Sequence, residues 1–211
     1  MMKKLSTVKK QESQPASITG RIGARGKRIV DSIVIVLSKI HVSPNLLTLF
    51  GLVVNIAAAV LFAKGSFFWA ALVVLFAGIF DILDGEVARL TKRVTRFGGF
   101  LDSVIDRYSD LLLLLGLTLW YAKLGRMFYV GLTDLVLIGS VMTSYTRARA
   151  ESLIPQCKVG FLERPERVVL LIIGALSDRM GAVLWVMAIL SNWTVFQRIW
   201  YTWRETSAME R

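Results

Sequence analysis

Four aspartates stand in two pairs at the ends of two apolar stretches: Asp81 and Asp84, then Asp102 and Asp106. Residues three or four apart share one face of a helix, so each pair presents two carboxylates side by side. An ionised carboxylate at the centre of a bilayer costs on the order of 3 kcal/mol on insertion scales. Four of them beside apolar helices need an offsetting partner, and a divalent cation is the simplest. Two such helices packed face to face would gather the carboxylates around one or two hard cations, which prefer oxygen ligands. The residue inventory narrows the chemistry further. The one histidine, His41, excludes a histidine-based zinc centre, and the one cysteine, Cys157, excludes an internal disulfide or a multi-cysteine metal site. The chemistry must therefore rest on carboxylates, arginines and hydroxyls.

The elements that position these groups are long apolar runs. Of 211 residues, 55% are hydrophobic, and mean hydropathy is +0.57. The expected fold class is an all-α integral membrane protein with six transmembrane helices, preceded by a cytoplasmic juxtamembrane interfacial helix. The spans are expected at 46–63, 66–89, 98–122, 127–148, 164–177 and 180–201. The fifth has the shortest apolar run and spans only if the polar turn at Glu163–Arg167 is helical, which Pro165 in a first turn permits. Residues 28–42 are apolar but too short to span, and are expected to lie on the bilayer surface within a juxtamembrane segment, 18–43. Residues 1–17 read as a mobile basic tail with no signal peptide, 44–203 as the six-helix domain and 204–211 as a short tail.

Charge orients the bundle. With the N-terminus inside, the inner segments carry 21 Lys and Arg residues, against four (Lys64, Lys123, Arg126, Arg179) outside. That asymmetry predicts a multi-pass protein of the cell membrane with N-terminus and aspartates on the cytoplasmic side. The net charge of +11 then reads as contact with anionic lipid, and no nucleic-acid-binding motif accompanies it.

The string D-x2-D-G-x2-A-R-x8-G-x3-D-x3-D, complete from Asp81 to Asp106, resembles the signature of the CDP-alcohol phosphotransferases. The resemblance covers about 44–203. It implies a phospholipid synthase that moves a phosphatidyl group from a CDP-linked lipid such as CDP-diacylglycerol onto an alcohol and releases CMP. It also implies a homodimer. Asp81, Asp84 and Asp102 are expected metal ligands with Asp106 close by, for Mg2+ (two ions, with Mn2+ an alternative). The resemblance assigns Asp106 as general base, and a carboxylate one turn from a metal ligand is suitably placed for that work. Gly85, Ala88 and Gly98 remove bulk where a nucleotide or a neighbouring helix approaches. Arg89 presents a fork of donors to a diphosphate. Pro44 and Asn45 resemble an element that encloses the nucleotide, and equally suit a turn and helix cap. Intramembrane aspartates could instead form an ion relay of a transporter, extended through Arg107, Asp110 and Asp134. The register of Gly85, Ala88, Arg89 and Gly98 weighs against it. Asp110 is read as a neighbour of Arg107, and Asp134 as a packed polar residue.

The acceptor is read from 144–167. Ser144, Arg147, Arg149, Arg164 and Arg167 gather where the string predicts the cytoplasmic mouth, and arginines suit a phosphate monoester. Arg147 and Arg149, two apart, are expected to splay, whereas Arg164 and Arg167 share a helix face. Positive-inside topology alone would also place arginines there. The pattern resembles the phosphatidylinositol-phosphate synthase branch, which implies inositol 1-phosphate as acceptor. Arg147 departs from that branch, which commonly has lysine there. Glycerol 3-phosphate is the alternative acceptor, and an archaeal ether lipid the alternative donor. Arg198 offers a further phosphate contact, but reads more readily as an interfacial anchor near Trp200 and Trp203.

Overall fold

The computed structural model describes residues 43–91 and 94–210, without the side chains of Ile82, Asp84 and Leu90. The tail at 1–17 and the interfacial helix expected at 28–42 lie outside the described residues.

Six helices form among the described residues: α1 (Pro44–Ala63), α2 (Phe67–Leu90), α3 (Arg96–Lys123), α4 (Met127–Ala150), α5 (Arg164–Leu176) and α6 (Met180–Met209); α4 and α5 are joined by the irregular segment 151–163. Local chemistry sets the starts that matter here. Pro44 opens α1 after an extended Ser43, where a missing N–H leaves no bond unmade. Thr95 caps α3 by accepting from the Gly98 amide at 2.9 Å. Glu163 and Glu166 form a reciprocal capping box at the start of α5. The Glu163–Arg167 turn is therefore helical from Arg164 onward.

The bundle packs α1 against α2 and α3, α3 against α4, α4 against α6, and α5 against α2 and α6. Small residues line the tightest crossings. A Cβ at Gly116 of α3 would collide with the Ala59 carbonyl of α1, and one at Gly139 of α4 with Ser191 of α6. Large apolar side chains such as Phe50, Val53, Trp69, Phe76, Ile189 and Phe196 point outward and are exposed. Small residues inside and large apolar ones outside is the pattern of helices packed within lipid.

Four helices, α1, α2, α4 and α6, are long and apolar enough to cross a bilayer, the architecture of an integral membrane protein. The other two depart from the ordinary spanning pattern for different reasons. Helix α3 has 28 residues but carries Asp102, Asp106, Arg107 and Asp110 within it. Helix α5 has only 13 residues, about 20 Å at 1.5 Å per residue, against a hydrocarbon core of about 30 Å.

Candidate active site

The end of α2 and the start of α3 meet beside the start of α1. Pro44, Asn45, Gly85, Ala88, Arg89 and Gly98 all line one cavity of about 210 Å³, with Asp102 on its wall. Gly85 faces open space, since a Cβ there would meet nothing within 4 Å; its missing side chain enlarges the cavity and admits no neighbouring helix. At Gly98 a Cβ would press on Thr95 Oγ1 and on Asn45 Oδ1, so the Asn45 side chain sits against the α3 start. Arg89 is mostly exposed and donates to Glu86 Oε1 at 2.7 Å. Thr48, Val94, Thr95 and Gly99 complete the lining. They carry no charge and no distinctive spacing, so pattern alone did not single them out.

Deeper in the bundle the carboxylates meet a guanidinium. Arg164 Nη1 lies 2.8 Å from Asp81 Oδ2 and 2.9 Å from Asp106 Oδ1, joining α5 to α2 and α3. Its Nε stands 3.6 Å from Asp110 Oδ1 and is buried without a hydrogen-bond partner. Among the described side chains, no three carboxylates sit close enough to hold one ion. The donor set nevertheless fits a hard divalent cation: carboxylate oxygens only, with Asp81 of α2 and Asp106 of α3 both reaching the Arg164 guanidinium. Contrary to the expectation from the sequence, helices α2 and α3 do not pack face to face; α1 packs against both and α5 against α2, and Arg164 bridges their carboxylates. Asp81, Asp102 and Asp106 are the described residues able to hold one. Asp84 lies on the same helix as Asp81, with its side chain outside the described atoms.

A second cavity, of about 110 Å³, is lined by Arg107, Thr143, Ser144, Arg147, Glu163, Arg164, Pro165, Arg167 and Arg198. Ser144, Arg147, Arg164 and Arg167 thus come together as expected from the sequence. Arg149 does not. It lines a separate cavity of about 240 Å³ with Trp203 and Thr206, because residues two apart on a helix point to nearly opposite sides. Two further readings need correction. Asp110 is the buried partner of Arg167, whose Nη2 and Nε donate to Asp110 Oδ2 at 2.6 and 3.3 Å; Arg107 lies instead beside Asp106 at 3.9 Å. Arg198 is no interfacial anchor: it is 3% exposed and donates to Glu163 Oε1 at 2.8 Å, to Val159 O at 2.9 Å and to the Thr143 carbonyl. An arginine inside an apolar run was the available signal, and the neighbouring tryptophans outweighed it. Glu163, which also accepts from Arg147 at 3.0 Å, was missed as the cavity's acidic member. Asp134 accepts from Thr118 at 3.2 Å, away from both cavities.

Residues 41–203 match the family model described as CDP-alcohol phosphatidyltransferase. The chain belongs to that family. As a CDP-alcohol phosphatidyltransferase it is an enzyme of phospholipid biosynthesis. It is 38% identical over 185 residues to the archaetidylinositol phosphate synthase of Methanothermobacter thermautotrophicus, covering 84% of this chain and 90% of that one. To the phosphatidylinositol phosphate synthase of Mycobacterium tuberculosis it is 35% identical over 195 residues, 87% of this chain and 90% of that one. The fold matches the crystal structure of the latter enzyme with CDP-DAG bound at a TM-score of 0.79 and 35% identity, over 83% of this chain and 94% of that one. Its structure in complex with manganese and citrate matches at 0.78 and 34% identity, over 82% and 88%.

Proposed function

We propose that this CDP-alcohol phosphatidyltransferase joins CDP-diacylglycerol, or a related CDP-lipid, to inositol 1-phosphate, giving a phosphatidylinositol phosphate and CMP at the cytoplasmic face of the cell membrane. The observation that carries the reading is the pairing of two unlike cavities at one row of aspartates. The first, lined by Gly85, Ala88, Arg89 and Gly98, is open and weakly charged, and suits a nucleotide whose diphosphate reaches Asp102. The second is crowded with guanidinium groups and suits a phosphate monoester. Arg164 belongs to the second and touches Asp106, one turn along α3 from Asp102. Relatives named for archaetidyl and for phosphatidyl products share inositol phosphate as the common element of their names, which supports that acceptor over glycerol 3-phosphate.

In the proposed reaction the acceptor hydroxyl attacks the lipid-bearing phosphorus, the bond from that phosphorus to the bridging oxygen breaks, and CMP leaves with that oxygen. Asp106 takes the hydroxyl proton. Ser144, Arg147 and Arg164 hold the acceptor phosphate, with Arg198 fixing Glu163 beside them, and Arg89 steadies the diphosphate. Asp81, Asp84, Asp102 and Asp106 would hold Mg2+ or Mn2+, which supplies charge neutralisation on the diphosphate when bound. The manganese bound by a relative supports a divalent ion here. Helices α3 and α5 are read as completing six spans, their charged residues facing the bundle interior.

The test is CMP release by purified protein in detergent with CDP-diacylglycerol and Mg2+, comparing inositol 1-phosphate, glycerol 3-phosphate and free inositol. Release is expected with inositol 1-phosphate alone, and is expected to vanish in Asp106→Asn while CDP-lipid binding persists. Release with glycerol 3-phosphate alone would overturn the acceptor and keep the reaction class.

A further inference from the structure

Arg164 holds a position that a metal ion on Asp81 and Asp106 would also need. Its Nη1 is within 2.9 Å of an oxygen from each carboxylate, whereas a magnesium ion sits about 2.0–2.1 Å from its oxygen ligands. An ion bound to those same oxygens would overlap the guanidinium and repel its charge. The two positive groups exclude one another.

Arg164 also differs from the other arginines of its cavity. Arg167 is fixed on Asp110 at 2.6 Å, and Arg147 and Arg198 are tied to Glu163 at 3.0 and 2.8 Å. Arg107, the fifth arginine of the cavity, lies 3.9 Å from Asp106 and donates to the Ser103 carbonyl. Arg164 alone bridges two of the aspartates expected to hold the metal, and its buried Nε, 3.6 Å from Asp110 Oδ1, has no hydrogen-bond partner. Its side chain therefore stands on the border of both sites, with one donor left over.

Resting on the function proposed above, we infer that Arg164 is an exchangeable counter-ion linking the metal site to the acceptor site. It neutralises Asp81 and Asp106 until a divalent ion takes them, and its guanidinium then turns to the acceptor phosphate. The converse holds as well: a phosphate that draws Arg164 away uncovers the carboxylates. Metal and acceptor phosphate consequently raise each other's affinity by the same factor, as linkage requires. The device keeps close carboxylates compensated, and it makes each site complete only when the other is filled.

The experiment follows Mn2+ binding to the full-length protein in detergent by the electron paramagnetic resonance signal of free Mn2+. No CDP-lipid is present, so no turnover occurs. Inositol 1-phosphate is expected to tighten Mn2+ binding to the wild type by about tenfold, within the usual range of coupling between sites. Arg164→Ala and Arg164→Gln are expected to bind Mn2+ about tenfold more tightly than wild type without the phosphate, and to show no further tightening with it. Arg147→Ala is expected to weaken the phosphate effect and keep the wild-type Mn2+ affinity in its absence. Glycerol 3-phosphate as a second probe separates the phosphate group from the inositol ring. Mn2+ affinity in both Arg164 variants equal to or weaker than wild type would overturn the counter-ion role and leave the enzyme reading standing. Failure of every form to bind Mn2+ would overturn the metal reading and this inference with it.

Discussion

Arg147 and Arg149 are separated by one residue and by an entire side of α4. Arg147 reaches Glu151 and Glu163 at 3.1 and 3.0 Å and lines the arginine cavity; Arg149 contacts Ser152 and lines another. Losing a hydrogen bond to a charged group costs about 1.5–3 kcal/mol, or roughly tenfold and upward in affinity. Arg147→Ala is accordingly expected to raise the apparent KM for the acceptor by about tenfold or more, against less than about twofold for Arg149→Ala. Steady-state kinetics with the acceptor varied at saturating CDP-lipid checks this, and equal effects of the two substitutions would defeat it. The contrast also marks what could be read from sequence. Asp81 through Asp106 declare themselves because their spacing is local, on two consecutive helices, and the cavity beside them inherits that order. Arg198 and Glu163 pair across 35 positions and Arg167 and Asp110 across 57. No short-range pattern says which charges will face each other over such distances.

At the scale of elements, the pair of Arg167 and Asp110 fastens α5 to α3 inside the bundle. Both residues are buried, and Arg167 Nη1 also donates to Thr143 of α4 at 3.1 Å, while Ser140 donates to Asp110 at 3.4 Å. Removing one member leaves the other charged and uncompensated, which costs about 3–5 kcal/mol, while an apolar replacement of both is often tolerated. Asp110→Ala is expected to lower thermal stability in detergent sharply, and the double substitution Asp110→Leu with Arg167→Met to recover most of it. Melting temperatures of the three forms decide the matter; a double variant no better than the single would show that the pair is needed for more than charge balance. The short reach of α5 is legible in the sequence, where the span expected at 164–177 has the shortest apolar run of the six, and the helix closes at Leu176. Its partners are not legible, since the arginines of its first turn find Asp81, Asp106 and Asp110 on helices far away in the chain.

For the whole molecule, the distribution of Lys and Arg predicts one orientation. The turns at Lys64–Ser66, Leu124–Arg126 and Ser177–Arg179 fall on one side, and the aspartates with the nucleotide and arginine cavities at the other. Cys157 is buried, so single cysteines can be placed in a Cys157→Ala background. Arg126→Cys and Arg179→Cys are expected to react with an impermeant maleimide added outside intact cells, and Arg204→Cys only after lysis. Labelling in the opposite sense would invert the assignment of the active face.

The brevity of α5 bears on how such an enzyme meets two substrates of opposite solubility. If its far end reaches the outer boundary, about 20 Å of helix leaves Arg164 roughly 10 Å short of the inner one. The reacting groups then lie at the floor of a wet well sunk into the leaflet, level with the upper carbons of neighbouring lipids. On the proposed function, a charged phosphate acceptor would descend by water while the lipid donor slides in sideways with its tails still in oil. A thicker bilayer deepens the well at a modest cost per ångström, so the working depth of the catalytic floor is tied to the thickness of the membrane whose lipids it makes.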